Sequence, residues 1–257
     1  MNSVSKIKKR VDTLLVERGL ALNIQEARAF LMEGIVWSNH QRIDKAGTQI
    51  KLNDPLEIRG KKGEFVSRAG DKLKHALTLF AVSPKNKICL DVGSSTGGFT
   101  DCLIKNGAKT VFALDVGYGL LDIKLRNHPQ VIVAEKTNAR LVTLDQLKAL
   151  SPEAPQIELI VSDVSFISLK TIVPNLVKQF TQAKQWILLF KPQFELGPEN
   201  ILQGGIVRAD ADVEGALTNF SHWMKSQGLD LKGGPEISPL TGKKSGNVEY
   251  LLFYERN

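Results

Sequence analysis

The sequence predicts an α/β protein in two parts, a small N-terminal α+β domain followed by a doubly wound, Rossmann-like sheet. Five apolar runs predict the sheet, KICLDVG, VFALDVG, VIVAEK, LIVSDVS and WILLFKP, and most are separated by helix-length spacers. Alternation of this kind is typical of parallel strands joined by helices. The segment AGDKLKHALTLF, just ahead of the first run, has helical periodicity and opens this part.

The small domain is predicted from short periodic segments that end at a charged joint. Val11, Leu14 and Leu15 recur at helical spacing, and Asn23 with Glu26 three residues on fits the start of a second helix. The β-prone pieces IVWSN and LEIRG follow, and GKKGEF then has the composition of a flexible linker. The predicted boundaries are residues 1–59 for the small domain, 60–66 for the linker and 67–257 for the large domain.

The amino-acid composition restricts the classes of protein to which this chain can belong. The 257 residues are 42% hydrophobic and 24% charged, as in globular proteins, and no apolar run approaches the ~18 residues of a membrane span. Charges at Asp12 and Glu17 interrupt any signal-peptide core. With only Cys89 and Cys102, a disulfide framework is excluded, so we expect a reducing, cytoplasmic location. The four histidines are scattered, and no metal site is predicted.

Positive charge is concentrated near the N-terminus. The net charge is +7, and residues 1–62 hold 12 Lys/Arg against 7 Asp/Glu. A basic module joined to a nearly neutral body indicates binding to a polyanion, with a solvated basic surface as the plainer alternative.

A glycine-rich loop, DVGSSTGGFT, leaves the first strand of the large domain and enters a helix. Its spacing is neither G-x-G-x-x-G nor a P-loop, so a pyrophosphate site is not indicated. Asp91 opens the loop, and Asp115 ends the next strand, where an acid typically accepts from ribose hydroxyls. A nucleoside cofactor without pyrophosphate fits, and we expect S-adenosylmethionine. The predicted cofactor residues are Asp91, Gly93, Ser94, Ser95, Thr96, Gly97, Gly98, Phe99 and Asp115, with Asp163 at the fourth strand end.

The acceptor is predicted from the ends of the fourth and fifth strands. Neither cysteine follows a proline, as a cytosine C5 nucleophile would, and Asp163-Val164-Ser165-Phe166 lacks the prolines of adenine amino-group enzymes. Lys191 follows the apolar run WILLF, where an ammonium is costly unless it is paired or gives up its proton. A base beside an acid suits deprotonation of a ribose 2′-hydroxyl. A lysine that reaches out to water is the structural alternative.

The small domain resembles the S4 class of RNA-binding domains. The stretch from about residue 8 to 58 carries the R-x-D-x-L-L and A-R-x-x-[IL]-x-x-G-x-[VI] spacings of that class. The resemblance implies contacts with the RNA backbone, which add affinity but little sequence specificity. The implied RNA-binding residues are Lys9, Arg10, Arg28, Arg42 and Lys45, to which we add Arg68 beyond the linker.

Nearly the whole chain resembles the TlyA family, bacterial proteins historically labelled haemolysins, and more distantly the FtsJ-type ribose methyltransferases. SRAGDKL, DVGSSTGGFTD, SDVSFISL, KPQFELG and GNVEYLL carry the resemblance. It implies a Lys-Asp-Lys-Glu tetrad, an asparagine near the adenine, and cytidine of ribosomal RNA or ribosomal subunits as substrate. The linker GEFV lacks the Arg and Trp of some members. The implied tetrad is Lys72, Asp163, Lys191 and Glu249, and the implied adenine-side residue is Asn138.

Other classes of function remain open at this point. A secreted or membrane-acting haemolysin would need an inserting segment and an export signal, and neither is evident in the sequence. A nicotinamide-dependent oxidoreductase would need the fingerprint loop. An inactive RNA-binding protein would have lost tetrad residues, yet all four are present. We expect no membrane partner, and a monomer is favoured.

Overall fold

The computed structural model describes residues 7–59, 64–240 and 246–257. The chain separates into two compact units between Arg68 and Ala69, here the N-terminal and C-terminal units. Residues 60–63 of the predicted linker lie outside the described ranges.

The N-terminal unit packs two helices against short strands. Its elements are β1 (Lys8–Arg10), α1 (Val11–Glu17), α2 (Ile24–Glu33), β2 (Val36–Ser38), β3 (Gln41–Ile43), β4 (Gln49–Lys51) and β5 (Glu57–Ile58). β1 pairs with β4, and the other three strands form a sheet in the order β3-β2-β5. Asn23 caps α2 as predicted, because its side chain accepts from the backbone N–H of Glu26 at 2.8 Å. Residues of both helices and of β2, β3 and β4 form one apolar core.

The C-terminal unit alternates strands and helices, as predicted. Its strands are β6 (Ile88–Val92), β7 (Thr110–Leu114), β8 (Val131–Ala134), β9 (Ile157–Ser162), β10 (Gln185–Phe190), β11 (Ile201–Leu202), β12 (Ile206–Val207), β13 (Leu229–Ile237) and β14 (Tyr250–Arg256). Its helices are α3 (Ala69–Leu79), α4 (Gly98–Lys105), α5 (Ile123–Arg126), α6 (Leu144–Leu150), α7 (Leu169–Gln179), α8 (Pro192–Glu195) and α9 (Val213–Ser226), with short 3₁₀ turns at Ala154–Gln156 and Pro198–Asn200.

Seven strands form the central sheet in the order β8-β7-β6-β9-β10-β14-β13. Numbered by their place in the chain, these strands run 3-2-1-4-5-7-6. The first five are parallel, which confirms the doubly wound prediction. The sequence did not predict the other two strands: β14 runs antiparallel to β10, and β13, antiparallel to β14, runs in the direction of the first five. The strand order reverses between β6 and β9, and ligands of such sheets bind outside the carboxyl ends of the strands at this point.

The antiparallel β14 begins at this same edge. Tyr250, its first residue, pairs with Phe190, the last residue of β10. The residue before β14 and the residue after β10, Glu249 and Lys191, are therefore neighbours at the carboxyl edge. A parallel last strand would start at the opposite edge, so the reversal of β14 is what makes a site from these two residues.

The run WILLF forms a strand that is covered on both faces, as its composition predicts. All five residues from Trp186 to Phe190 are buried in β10. Trp186, Leu188 and Phe190 pack into the main core with Phe220 and Tyr254. The strand is thereby fixed on both faces up to the position of Lys191.

Candidate active site

Four charged side chains form a chain of alternating sign at the carboxyl edge of the sheet. Lys72 Nζ donates to Glu249 Oε2 at 2.5 Å and lies 3.7 Å from Asp163 Oδ2. Lys191 Nζ lies 2.5 Å from Asp163 Oδ1. The order is thus Glu249, Lys72, Asp163, Lys191, and the structure brings together all four residues predicted as a tetrad.

The cluster is desolvated and electrically balanced. The Lys72, Lys191 and Glu249 side chains are at most 9% exposed, and Asp163 is 15% exposed. Burial alone would raise the pKa of Asp163, but the charges of Lys191 and Lys72 outweigh it and hold this pKa below its usual value. With two ammonium and two carboxylate groups, the cluster has no net charge.

The immediate surroundings of Lys191 pair it with an acid, as the neighbouring strand ends predict. Asp163 lies between Lys191 and Lys72 and contacts both. Lys191 also donates to Ser165 Oγ at 2.9 Å, a partner that the sequence reading missed. The Asp163 carboxylate and the Ser165 hydroxyl together hold the Lys191 amine at the sheet edge.

The glycine-rich loop, residues 93–98, is fixed by Asp115. The Asp115 carboxylate accepts from the backbone N–H of Ser95 at 2.8 Å and from that of Gly117 at 2.7 Å. Ser95 has a positive φ of 49°, so this bond holds the loop in an uncommon conformation. Asp115 therefore joins the loop after β6 to the loop after β7, with lone pairs left for a ligand.

Asp91 is the most unusual carboxylate of the site. It is fully buried in β6, and its Oδ2 accepts from Thr100 Oγ1 at 2.6 Å. Its Oδ1 is buried and, among the described residues, has no hydrogen-bond partner. Burial raises the pKa of Asp91 to about 7. A buried acceptor without a donor costs free energy, and a cationic ligand group would relieve that cost.

The glycine-rich loop and the Asp163 loop pack closely. At Gly93, with φ of 84°, a Cβ would lie 3.0 Å from Val164 Cγ1 and 3.2 Å from the Asp163 carbonyl oxygen. The Asp163 backbone N–H also donates to the carbonyl of Val92 at 3.2 Å. Gly93 thus permits the approach that places the predicted cofactor loop beside the charged cluster.

Most of the remaining residues predicted to bind the cofactor are buried or serve local packing. Phe99 is buried in α4 at 2% exposure, so a ligand contact would come from its backbone. Ser94 and Thr96 are buried within the loop, and Gly98 is the first residue of α4. At Gly97 a Cβ would fall 2.4 Å from Leu125 Cδ1, so this glycine serves packing as much as binding. Asn138 follows β8, and its Oδ1 accepts from the backbone of Arg140 at 3.0 Å.

Three of the predicted RNA-binding residues have carboxylate partners in the N-terminal unit. Asp12, 1% exposed, pairs with Arg10 at 2.6 Å and with Arg28 at 3.4 Å, while Lys9 pairs with Glu17 at 2.9 Å. The arginine charges lower the pKa of Asp12, with the Arg10 hydrogen bond as the largest cause. These basic groups are about half exposed, so Asp12 orients two of them without removing them from solvent.

The other predicted RNA-binding residues lie elsewhere in the same unit. Arg42 is in β3 and its aliphatic stem passes over Gly34, the residue that ends α2 in a left-handed conformation. Lys45 is exposed in the turn before β4, and Arg68 is the last residue of the unit. The structure therefore spreads the six candidates over β1, α2, β3, a turn and the end of the unit.

An exposed aromatic residue beside the cluster was missed by the sequence reading. Phe166 is 92% exposed, has a φ of 65°, and lies three residues after Asp163. Its ring contacts Phe194, with centroids 5.4 Å apart. The backbone of Phe166 thus has a conformation that residues other than glycine rarely adopt, and such conformations are common at functional sites.

The strand order and the glycine-rich loop after the first strand define the class of S-adenosylmethionine-dependent methyltransferases. Residues 65–256 match the FtsJ-like methyltransferase family, and residues 9–56 match the S4 domain. The chain therefore belongs to the FtsJ-like methyltransferase family and carries an S4 domain ahead of the catalytic unit.

Three similar proteins cover most of the chain. YqxC of Bacillus subtilis is 46% identical over 248 residues, 95% of this chain and 85% of that protein. TlyA of Mycobacterium tuberculosis, named a 16S/23S rRNA (cytidine-2′-O)-methyltransferase, is 40% identical and covers 95% and 88%. A solved structure from Streptococcus thermophilus, named as a hemolysin, has a TM-score of 0.72 at 38% identity and covers 97% and 89%. In this chain, none of the helices described is long and apolar enough to span a bilayer.

The first prediction concerns the stability of the charged cluster. Asp163→Asn leaves two buried ammonium groups near each other, and removal of one partner of a buried pair costs about 3–5 kcal/mol. We expect a loss of about 3 kcal/mol in the free energy of unfolding at pH 7, measured by denaturant titration. The pKa of Asp163 is lower in the folded protein than in the unfolded chain. The stabilisation by Asp163 is therefore fully present at pH values above the ordinary pKa of an aspartate, and it is lost as the pH falls through the lowered pKa.

A matched control is Asp145→Asn, which removes an exposed pair with Lys148 and should cost less than about 0.5 kcal/mol. An Asp163→Asn protein as stable as the wild type at pH 7 would contradict the charge balance described above.

Proposed function

We propose that this chain transfers a methyl group from S-adenosylmethionine to the ribose 2′-hydroxyl of cytidine in ribosomal RNA. The observation that carries the proposal is the buried chain Glu249–Lys72–Asp163–Lys191 directly beside the glycine-rich loop. The likeness to a named rRNA (cytidine-2′-O)-methyltransferase supports the choice of substrate.

Three features of the chain fit the methyl donor. The Oδ1 of Asp91, without a partner among the described residues, suits an ammonium group, and Gly93 lets the glycine-rich loop pack against the loop that carries Asp163. Asp115, already aimed by two backbone N–H groups, can accept from ribose hydroxyls. When bound, S-adenosylmethionine supplies an electrophilic methyl group on a positively charged sulfur.

Lys191 is the proposed base. Its amine lies at the sheet edge within reach of Asp163 and Ser165, on a strand that is packed on both faces. The Lys191 amine would take the proton of the 2′-hydroxyl as that oxygen forms its bond to the methyl group, while the bond between methyl and sulfur breaks and the donor leaves as neutral S-adenosylhomocysteine. The proton stays on Lys191, and Asp163 stabilises the ammonium that forms.

Lys72 and Glu249 complete the charge arrangement. Glu249 accepts a hydrogen bond from Lys72. Because Lys72 also pairs with Asp163, it weakens the electrostatic attraction between the Asp163 carboxylate and Lys191. Each group is fixed before the reaction, so the cluster need not reorganise as charge moves. Ser165 accepts from Lys191 in the free protein and occupies a position that a substrate hydroxyl could take.

Two further surfaces fit an RNA substrate. Phe166 offers an exposed ring next to Asp163, and a base turned out of its stack can pack on such a ring. The basic side chains of the N-terminal unit would contact the phosphates of the RNA. These side chains are Lys9, Arg10, Arg28, Arg42 and Lys45. Such a substrate places the protein with ribosomes in the cytoplasm, and the monomeric state remains a prediction.

The second prediction concerns the donor and pH. Because Asp91 has a pKa of about 7 in the free protein, binding of an ammonium group below pH 7 must displace a proton. The affinity for S-adenosylmethionine should therefore weaken as pH falls from 7 to 5.5, approaching about tenfold per unit. Titration calorimetry measures this change.

Asp91→Asn should bind the donor more weakly at pH 7.5 and lose this pH dependence. A wild-type Kd that is constant from pH 5.5 to 7 would contradict the assignment of Asp91 as the partner of the ammonium group.

The third prediction concerns Lys191. Lys191→Ala should bind donor and RNA but lose about 10²–10⁴-fold in the single-turnover rate, the usual effect of removing a general base. Lys191→Arg should be nearly as inactive, because a guanidinium keeps its proton near neutral pH. Release of 2′-O-methylcytidine from digested rRNA measures the product, and Lys148→Ala, an exposed lysine on α6, is the control.

A Lys191→Arg enzyme with nearly wild-type turnover would leave Lys191 as a positioning charge and remove it as the base.

A further inference from the structure

The motif KPQFE places three side chains on one face of a single helical turn. Lys191 precedes α8, and Phe194 and Glu195 follow it at i+3 and i+4, positions that share a face. Pro192 begins the turn, and the backbone N–H of Phe194 donates to the carbonyl of Lys191 at 2.9 Å. The position of Lys191 is thus tied to those of Phe194 and Glu195.

All three side chains contact the loop that follows β9, residues 163–168, or the helix start just beyond it. Lys191 contacts Asp163 and Ser165, and Phe194 contacts Phe166. Glu195 contacts Ser168 and Leu169. The turn after β10 and the loop after β9 therefore run side by side, with contacts along the length of the loop.

Glu195 is the anchor at the far end of that loop. Its Oε2 accepts from Ser168 Oγ at 2.6 Å, and its Oε1 accepts from the backbone N–H of Leu169 at 2.7 Å. Leu169 begins α7, an 11-residue helix whose first N–H groups lack helical partners. A carboxylate there satisfies one such group and interacts favourably with the helix dipole.

The bonds made by Glu195 lie in a partly buried setting. Burial raises the pKa of this carboxyl group, and its hydrogen bonds to Ser168 and Leu169 oppose that rise. The loop is therefore fixed at both ends, by Lys191 at Asp163 and by Glu195 at Ser168. Between the two anchors lie Ser165 and the strained Phe166.

We propose that Glu195 is a positioning residue for methyl transfer, which sets the geometry of Asp163, Ser165 and Phe166 relative to Lys191. This inference rests on the proposed function, since it assigns Glu195 a part in that same reaction. Glu195 touches none of the reacting groups and acts through the loop. Misplacement of a reacting group by about 1 Å can cost about 10²-fold in rate.

The test compares Glu195→Ala, Glu195→Gln and Ser168→Ala in the full chain, with Glu199→Ala, an exposed carboxylate nearby, as the control. Single-turnover transfer is measured with labelled S-adenosylmethionine and rRNA or ribosomal subunits from cells that lack the gene. Donor Kd and thermal midpoint are measured on the same proteins.

Glu195→Ala should lower the rate about 10²-fold with donor Kd within about twofold of the wild type. Glu195→Gln should recover to within about tenfold of the wild-type rate, because its amide oxygen still accepts from Leu169. Glu199→Ala should match the wild type. Ser168→Ala should slow transfer several-fold and lower the thermal midpoint by a few degrees, because the Ser168 hydroxyl also caps α7 by accepting from the backbone N–H of Lys170. If Glu195→Ala does not fold, Ser168→Ala and Glu195→Gln together test the inference.

A double-mutant cycle separates positioning from general stability. If Glu195 acts through the loop, adding Phe166→Ala to Glu195→Ala should cost little beyond the larger single loss. The inference would be overturned if the two rate losses multiplied in the double variant and each rate fell in step with the thermal midpoint. A Glu195→Ala enzyme with the wild-type rate would overturn it as well. A wild-type protein that transfers no methyl group to rRNA would instead overturn the proposed function.

Discussion

The site depends on one buried carboxylate, Asp163, that two lysines share. Removing either lysine leaves Asp163 with one partner, whereas removing Asp163 leaves two desolvated ammonium groups close together. Asp163 also connects the cluster to the cofactor side, through its backbone bond to Val92 and the close packing at Gly93. Asp163 therefore contributes both to the charge balance of the cluster and to the packing of the two loops.

The sheet is what permits this arrangement. Asp163 and Lys191 follow adjacent parallel strands, so their side chains meet at one edge. Glu249 reaches that edge only because β14 runs antiparallel to β10, with Tyr250 opposite Phe190. A fold with five parallel strands alone would supply half of the cluster. The antiparallel strand β14 is in this sense part of the proposed active site as well as of the core.

Much of this could be predicted from the sequence, for identifiable reasons. Five strands and the opening helix α3 gave clear apolar patterns, and Asn23 gave a clear cap. The three-residue strands β1, β3 and β4 are too short to leave a pattern, and the direction of β14 depends on pairing that no local signal reports. Glu195 was missed because its partners lie on another loop, although the i, i+3, i+4 spacing of Lys191, Phe194 and Glu195 was available as a signal. Asp12 was missed although its main partner, Arg10, is only two residues away.

The most direct test is a map of 2′-O-methyl groups at nucleotide resolution in rRNA from cells that lack the gene. A cytidine methylated in wild-type cells should lose its mark and regain it with the wild-type gene. It should stay unmethylated with Lys191→Met, a variant that keeps Asp163 paired with Lys72 and accumulates as folded protein. An rRNA map unchanged by the deletion, or restored by Lys191→Met, would contradict the account.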